Sequence, residues 1–377
     1  MKTARPEEYT SDSVMFMAFE LSAGKWKVGT TNGIGQKPRE RSIEAGDLER
    51  VSEEISKAKK RFGLPADAPV VSCYEAGRDG FWIHRWLESQ GIESLVIDPA
   101  SVHVDRRKKK AKTDRLDLGK LIRTLIRWNG GESKAWSVVQ VPSVKDEDDR
   151  QLHRELQTLK NESTRHINRI KSLLVSQGVK LPIRKDFIEL LQQCRVWDGS
   201  PLPEHLVRRL EREYRRLEIV RQQILQLEVD RREALKVSTD EKMEKVRQMK
   251  RLRGIGINSS WLFVMEFFGW RKFENRRQVG SLAGLTPTPH ESGAMSRELG
   301  IDKAGNARIR TMAIEIAWSW LRFQPRSELS LWFERRFGSG GKRARRIGIV
   351  ALARRLLVAL WRFVDQGVTP AGAILSK

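Results

Sequence analysis

Residues 14–21 read VMFMAFEL, an apolar run of strand length whose single acid, Glu20, falls near its end. Such a run fits a strand covered on both faces, and a carboxylate at its close is out of pattern. Residues 25–30 (KWKVGT) alternate and pair back as a hairpin through Ser22, Ala23 and Gly24. Residues 36–44 add a third, more exposed strand, and residues 45–62 read as a charged helix ending before Gly63. Residues 69–74 (PVVSCY) repeat the buried-strand signature, again followed by an acid, Glu75. A helix-like stretch at 80–90 and a short core strand at 94–97, closed by Asp98-Pro99, complete an α/β layered pattern. In open sheets of this kind sites form at the carboxyl ends of strands, where Glu20 and Glu75 both sit.

Residues 106–121, RRKKKAKTDRLDLGKL, come next. Arg106, Arg107, Lys108, Lys109, Lys110 and Lys112 form a cationic run that passes directly into Asp114 and Asp117. Leu118, Leu121, Ile122 and Leu125 have helical periodicity, so the two acids share one face. Asp114 and Asp117 suit a helix cap, with Asp114 at the N-cap and Asp117 at N3. They equally suit a divalent cation, since Mg²⁺ is held by one or two carboxylates together with water and phosphate. The two readings are compatible. Glu20, Glu75, Asp114 and Asp117 meeting at one sheet edge would form the arrangement of ribonuclease-H and RuvC-like nucleases, in which two metal ions clamp a scissile phosphate.

The chain has 377 residues, enough for two or three domains. With 71 Lys+Arg against 48 Asp+Glu, its net charge of +23 favours a polyanionic partner. No stretch is long and apolar enough to span a bilayer, and the opening residues lack the apolar centre of a signal peptide, so no membrane role is expected. The two cysteines, Cys73 and Cys194, are far apart, which fits a reducing cytoplasm and excludes a zinc motif.

The expected organisation is α/β plus α: a tail at 1–12, a sheet domain at 13–142, a helical coiled-coil arm at 143–249 and a mainly helical domain at 250–377. Residues 136–141 read as a last strand of the sheet domain. Leu152, Leu156, Leu159, Ile167, Ile170 and Leu174 line one face of a long helix, and Leu206, Leu210, Leu217, Val220, Ile224 and Leu227 follow a near-heptad rhythm. Pro182, Gly199, Pro201 and Pro203 break the two apart, giving an antiparallel pair. Arg165, Arg169 and Lys171 on the first helix, with Arg208, Arg209, Arg215 and Arg216 on the second, either solvate the arm or touch a nucleic-acid backbone. Gly254 and Gly256 sit in a Gly-Ile-Gly turn before a new apolar helix. This resembles a helix-hairpin-helix element that holds phosphate on backbone N–H groups, although a plain helix cap and tight turn read equally well. Residues 285–310 read as a loop in which Ser292 precedes Gly293, with His290, Arg297, Lys303, Arg308 and Arg310 around it. Ser-Gly is a turn dipeptide. A serine flanked by guanidinium groups also suits attack on a phosphate. Residues 345–364 close the chain as an amphipathic helix.

FELSAGKWKV with Glu20, YEAGRDGFWIHRWLESQGI with Glu75 and KTDRLDLGKL with Asp114 and Asp117 resemble the DEDD motif of the insertion-sequence one-ten transposases and the related Piv-type DNA invertases. GLTPTPHESGAMSRELGIDKAGNARIRTMAIEIAW, with LRGIGINSS before it and VALARRLLVALW after it, is similar to the carboxyl-terminal domain of the same family. One position departs: Glu20 stands where the family usually has Asp. The resemblance implies a RuvC-like first domain holding Mg²⁺, with Ser292 as nucleophile and a covalent serine-DNA phosphate link. It implies a structured bridge RNA whose loops choose donor and target double-stranded DNA, so that protein reads RNA shape and phosphates. It implies a homo-tetramer, a dimer of dimers, with composite sites, in a prokaryotic cytoplasm and on the nucleoid when active. Rival readings are a hydrolytic RuvC-like nuclease or junction resolvase, a non-catalytic nucleic-acid-binding protein, and an enzyme inverting DNA at fixed sites.

Overall fold

A computed structural model of the chain describes residues 13–33, 36–101, 114–292 and 295–376, and within these omits the side chains of 114–117, 289–292 and 295–299. The tail at 1–12 and the cationic run from Arg106 to Lys112 lie outside the described residues. The chain divides into two compact units, residues 1–141 and 142–377.

The first unit is built on a five-stranded sheet in the order β3-β2-β1-β4-β5. Its strands are β1 (Met15–Glu20), β2 (Lys25–Thr31), β3 (Arg39–Glu44), β4 (Val70–Glu75) and β5 (Glu93–Ile97). β1, β4 and β5 run parallel, and β2 and β3 are antiparallel additions. The tight return from β1 to β2 is held by Ser22, whose Oγ accepts from the Lys25 N–H and donates to its carbonyl. Side chains alternate across the sheet. Met15, Met17, Phe19, Trp26 and Val28 pack under α1 (Leu48–Arg61) and α2 (Trp82–Ser89), through Val51, Ala58, Ile83 and Leu87. Phe16, Ala18, Val71, Cys73, Leu95 and Ile97 pack under α3 (Asp114–Asn129), through Leu118, Leu121, Ile122 and Leu125. Burial on both faces explains why β1 and β4 read as unbroken apolar runs. Gly29 lets α3 sit close: a Cβ there would lie 2.7 Å from Ile122 Cδ1 and 3.0 Å from Leu118 Cδ2. The last strand expected at 136–141 is reduced to a bridge at Val138, with Asp98 and Val139 N–H groups donating to Ser137 and Val96 carbonyls. Trp136 instead turns its side chain into the core beneath α3.

The second unit starts with a short helix α4 (Val144–Asp148), capped by a reciprocal Ser143–Asp146 box. α5 (Gln151–Val175) and α7 (Glu204–Val237) then pack side by side. Contacts of Lys160 with Glu228 and of His166 with Glu213 run in opposite sequence directions, so the pair is antiparallel. Between them α6 (Phe187–Gln193) occupies the segment expected only to break the arm. It seals the far end of the pair by burying Phe187 and Leu191 against Tyr214 and Leu210.

The near end of the arm enters a larger core. α8 (Glu241–Lys250), α9 (Ile257–Phe263) with its π turn at Val264–Phe268, and α10 (Arg276–Leu282) lead to a hairpin of β6 (Pro287–Ser292) and β7 (Met295–Ile301). α11 (Ala307–Phe323), α12 (Glu328–Phe333) with a π turn at Glu334–Gly338, and α13 (Lys342–Gln366) follow. Trp261, Phe263, Phe267, Trp320, Phe333, Leu352 and Leu356 form the centre, joined by Leu235 of α7. Each such side chain contributes roughly 1.5–3 kcal/mol on leaving water. Gln324 locks the chain end to the α8–α9 turn, donating to the Arg253 and Ile374 carbonyls and accepting from the Ile374 N–H. Among the described residues no helix is long and apolar enough to cross a membrane.

Candidate active site

β1 and β4 pair in constant register, ending at Phe19 opposite Tyr74. The next residues, Glu20 and Glu75, therefore stand side by side, with strands about 4.8 Å apart. Alternation from Ala18 and Cys73, which lie under α3, places both carboxylates on the α3 side of the sheet. Glu20 is half-buried and Glu75 exposed. On their other sides Glu20 pairs with Lys27 of β2 and Glu75 with Ile97 of β5. Asp114 and Asp117 lie in the first turn of α3, and their side chains fall outside the described residues. The nearest described side chain, Leu118, rests on Gly29, whose strand partner Ala18 is two residues before Glu20. Among the described residues no three His, Cys, Asp or Glu side chains gather as a metal site. Cys73, on the same face, is fully buried, and burial followed by the Glu75 charge pushes its thiol well above the usual range. It stays protonated and is no nucleophile.

The loop expected at 285–310 is in large part the β6–β7 hairpin. Its residues, with prolines 287 and 289 and glycines 293 and 300, have poor strand propensity, but cross-strand pairing overrides it. Ser292 is the last residue of β6, opposite Met295, and His290 is opposite Arg297. The side chains of Ser292, His290 and Arg297 lie outside the described residues. The hairpin base is clamped. Arg310 donates to the Lys303 carbonyl at 3.0 Å and to the Ala283 carbonyl at 3.4 Å, and Asn306 N–H donates to Leu282. A Cβ on Gly305 would sit 2.3 Å from the Gly284 nitrogen, so the two backbones touch. Lys303 has a left-handed backbone, φ 66°, and its side chain is exposed, as is Arg308 in the first turn of α11.

Gly254 has φ +90°, and a Cβ there would meet Phe323 Cβ at 3.0 Å. Its carbonyl accepts from Ser319 Oγ of α11, which makes it a packing turn. Gly256 is the extended N-cap of α9, and its carbonyl takes the Ser259 and Ser260 hydroxyls. On the arm, Arg165 and Lys171 are exposed, whereas Arg169 binds Glu213 together with His166 and Arg216. Burial pushes the Glu213 carboxyl up, but its hydrogen bonds from His166 and Arg169 outweigh this and hold it down.

One polar centre was not legible in the sequence. Glu266 in the π turn is 1% exposed and takes a bidentate pair from Arg154 at 2.7 and 3.0 Å and a third bond from His153 Nε2 at 2.9 Å. Burial raises its pKa, but these donors more than offset that and hold it far below the carboxylate range. His153 is pushed down by burial and stays neutral, with its proton on Nε2. Nearby, Arg231 is buried against Trp261, donates to Asn258 Oδ1, and is lowered by burial to about 10. The network fastens both arm helices to the α9 region. An i,i+113 pairing leaves no local signal.

Residues 246–330, from within α8 to within α12, match the model of the transposase IS116/IS110/IS902 family. Along almost the whole chain the protein is 41% identical to y4rJ of Sinorhizobium fredii, a protein named as a transposase, covering 98% of each. The transposase for insertion sequence element IS1111A of Coxiella burnetii is 26% identical over 76% of this chain and 75% of its own. That for element IS1328 of Yersinia enterocolitica is 24% identical over 57% of this chain and 62% of its own. The chain belongs to the IS116/IS110/IS902 transposase family.

Proposed function

We propose that the protein moves an insertion sequence as an RNA-guided, site-specific DNA recombinase, cutting through a covalent serine-DNA phosphate link. The observation that carries this reading is the chain-long identity to a protein named as a transposase, joined to the register that sets Glu20 beside Glu75. The strand order, with carboxylates at the ends of two adjacent parallel strands and two more on the covering helix, supports a RuvC-like domain. Hard carboxylate oxygens on one face suit Mg²⁺, and Glu20, Glu75, Asp114 and Asp117 would hold it as a two-ion site. Bound there, the metal supplies Lewis-acid polarisation of the scissile phosphate.

Ser292 Oγ forms the new bond to phosphorus as the bond to the sugar oxygen breaks. The hydroxyl proton leaves as the departing oxygen takes one up, and the phosphodiester energy is kept for rejoining. Arg297, Lys303 and Arg308 offset the charge that builds on the phosphate. A tetramer, a dimer of dimers, would bring the acids of one subunit to Ser292 of another. A bridge RNA would select donor and target DNA, with the basic run 106–112 and the arm cations Arg165 and Lys171 on its backbone. In denaturing gels with Mg²⁺, donor DNA and the co-purified RNA, wild type gives a protein-DNA adduct and Ser292→Ala gives none. An adduct that survives the substitution, or nicking indifferent to it, would replace this reading with the hydrolytic one.

A further inference from the structure

α10, the turn after α12 and α13 enclose a groove of about 1260 Å³ in the second unit. Its wall carries six arginines, Arg276 and Arg277 from α10, Arg335 from the turn, and Arg354, Arg355 and Arg362 from α13. Glu328 is the one acid of that lining, so its formal charge is 6 − 1 = +5. None of the six arginines forms an ion pair with an acid among the described residues. Holding so many uncompensated guanidinium groups around one space costs free energy, which an anionic occupant would offset.

The same lining also has apolar surface. Leu331 is 46% exposed and Val368 53% exposed, both in the lining, and the Arg355 guanidinium lies 4.1 Å from the centre of the Trp332 ring. An occupant that matches this lining presents several negative charges together with flat apolar surface. Duplex nucleic acid keeps its base faces stacked inward and presents phosphates, sugars and base edges, with no base face to pack on apolar surface. An unpaired strand offers both, since every base has a face to stack and every link a charge. The volume exceeds the roughly 300–1,000 Å³ of a small-molecule pocket and so suits several linked nucleotides.

We propose that this groove binds an unpaired nucleic-acid strand, its phosphates on the arginines and its bases against Leu331, Val368 and the Arg355 guanidinium that covers Trp332. The choice of polymer rests on the recombinase reading, and the groove's charge and shape stand on their own. RNA and DNA strands share the required chemistry, and the test separates them.

The test uses the intact chain carrying Ser292→Ala, so that binding is read without cleavage. Fluorescence anisotropy follows single-stranded RNA, single-stranded DNA of about 12 nucleotides and the matching duplex over a range of salt. Replacing Arg276, Arg335 and Arg362 together by Ala should lower strand affinity by about tenfold or more and reduce the log-log salt slope by about 2. Trp332→Ala should lower strand affinity about tenfold, with Trp332→Phe keeping most of it and controlling for folding. Duplex binding should change less than about twofold. Whichever strand shows the loss, RNA, DNA or both, identifies the occupant. Unchanged strand binding, an equal loss on duplex, or displacement by a polyglutamate peptide as effective as by strand would overturn the proposal. Adduct formation is scored separately in the chain with Ser292 intact, so failure of the groove and failure of the recombinase reading are told apart.

Discussion

Two sets of arginines in the second unit are treated in opposite ways. Arg154 closes on Glu266 beside His153, and Arg231 and Arg271 lie over the rings of Trp261 and Trp270. Arg276, Arg335 and Arg362 edge a groove whose lining carries a single acid. The surplus of +23 is therefore not a uniform coat. A cation that meets a buried carboxylate or lies over a ring helps to fasten helices together, whereas the groove arginines meet no acid among the described residues and carry the binding proposed above.

Glu266→Gln is expected to have the largest effect. It strips the counter-charge from Arg154, with Arg150 and Arg271 close by, and should cost about 3–5 kcal/mol in urea unfolding of the second unit. Acid should act on the same centre. Glu266 is depressed on folding, so its contribution is intact above the usual carboxylate value of 4.5 and is lost as pH falls below it. His153 is held below its usual 6.5, so the unfolded chain takes up that proton first, and the loss begins at higher pH. Stability of the unit should thus fall steadily from near neutrality downward, and a flat profile between those two values would show that His153 does not contribute to it. Gly254→Ala should cost about 1–3 kcal/mol, because of its left-handed backbone and the approach of Phe323, read as a lower melting temperature. The smallest effect is expected of Arg276, Arg335 and Arg362 changed to Ala, which should leave stability within about 0.5 kcal/mol or raise it slightly, since they lose mutual repulsion and no ion pair seen among the described residues.

The sheet was legible because burial on both faces writes itself as continuous apolar runs, and Glu20 and Glu75 stood out as acids where such runs end. α5 and α7 were legible from their Leu and Ile spacing, and their contacts show the expected antiparallel pair. The β6–β7 hairpin was not, because its prolines and glycines read as loop and its closure depends on Gly284, Gly305 and Arg310 meeting from separate segments. α6 was hidden among prolines, since Phe187 and Leu191 become helical by packing on Tyr214, far along the chain. The arginine groove was invisible for a related reason: its lining runs from Arg276 to Ala371 and no local window contains it. The expected strand at 136–141 had the right composition but found only the edge of β5, where a bridge formed.

Glu20 and Glu75 are proposed to act as one unit in cleaving DNA. Strand cleavage in Mg²⁺ by Glu20→Gln, Glu75→Gln and the double variant tests it most directly. If the two carboxylates serve one metal-binding site, each single change lowers the rate by about 100-fold or more and the double change adds little. Losses that multiply in the double variant, or a single variant that cuts at the wild-type rate, would contradict it.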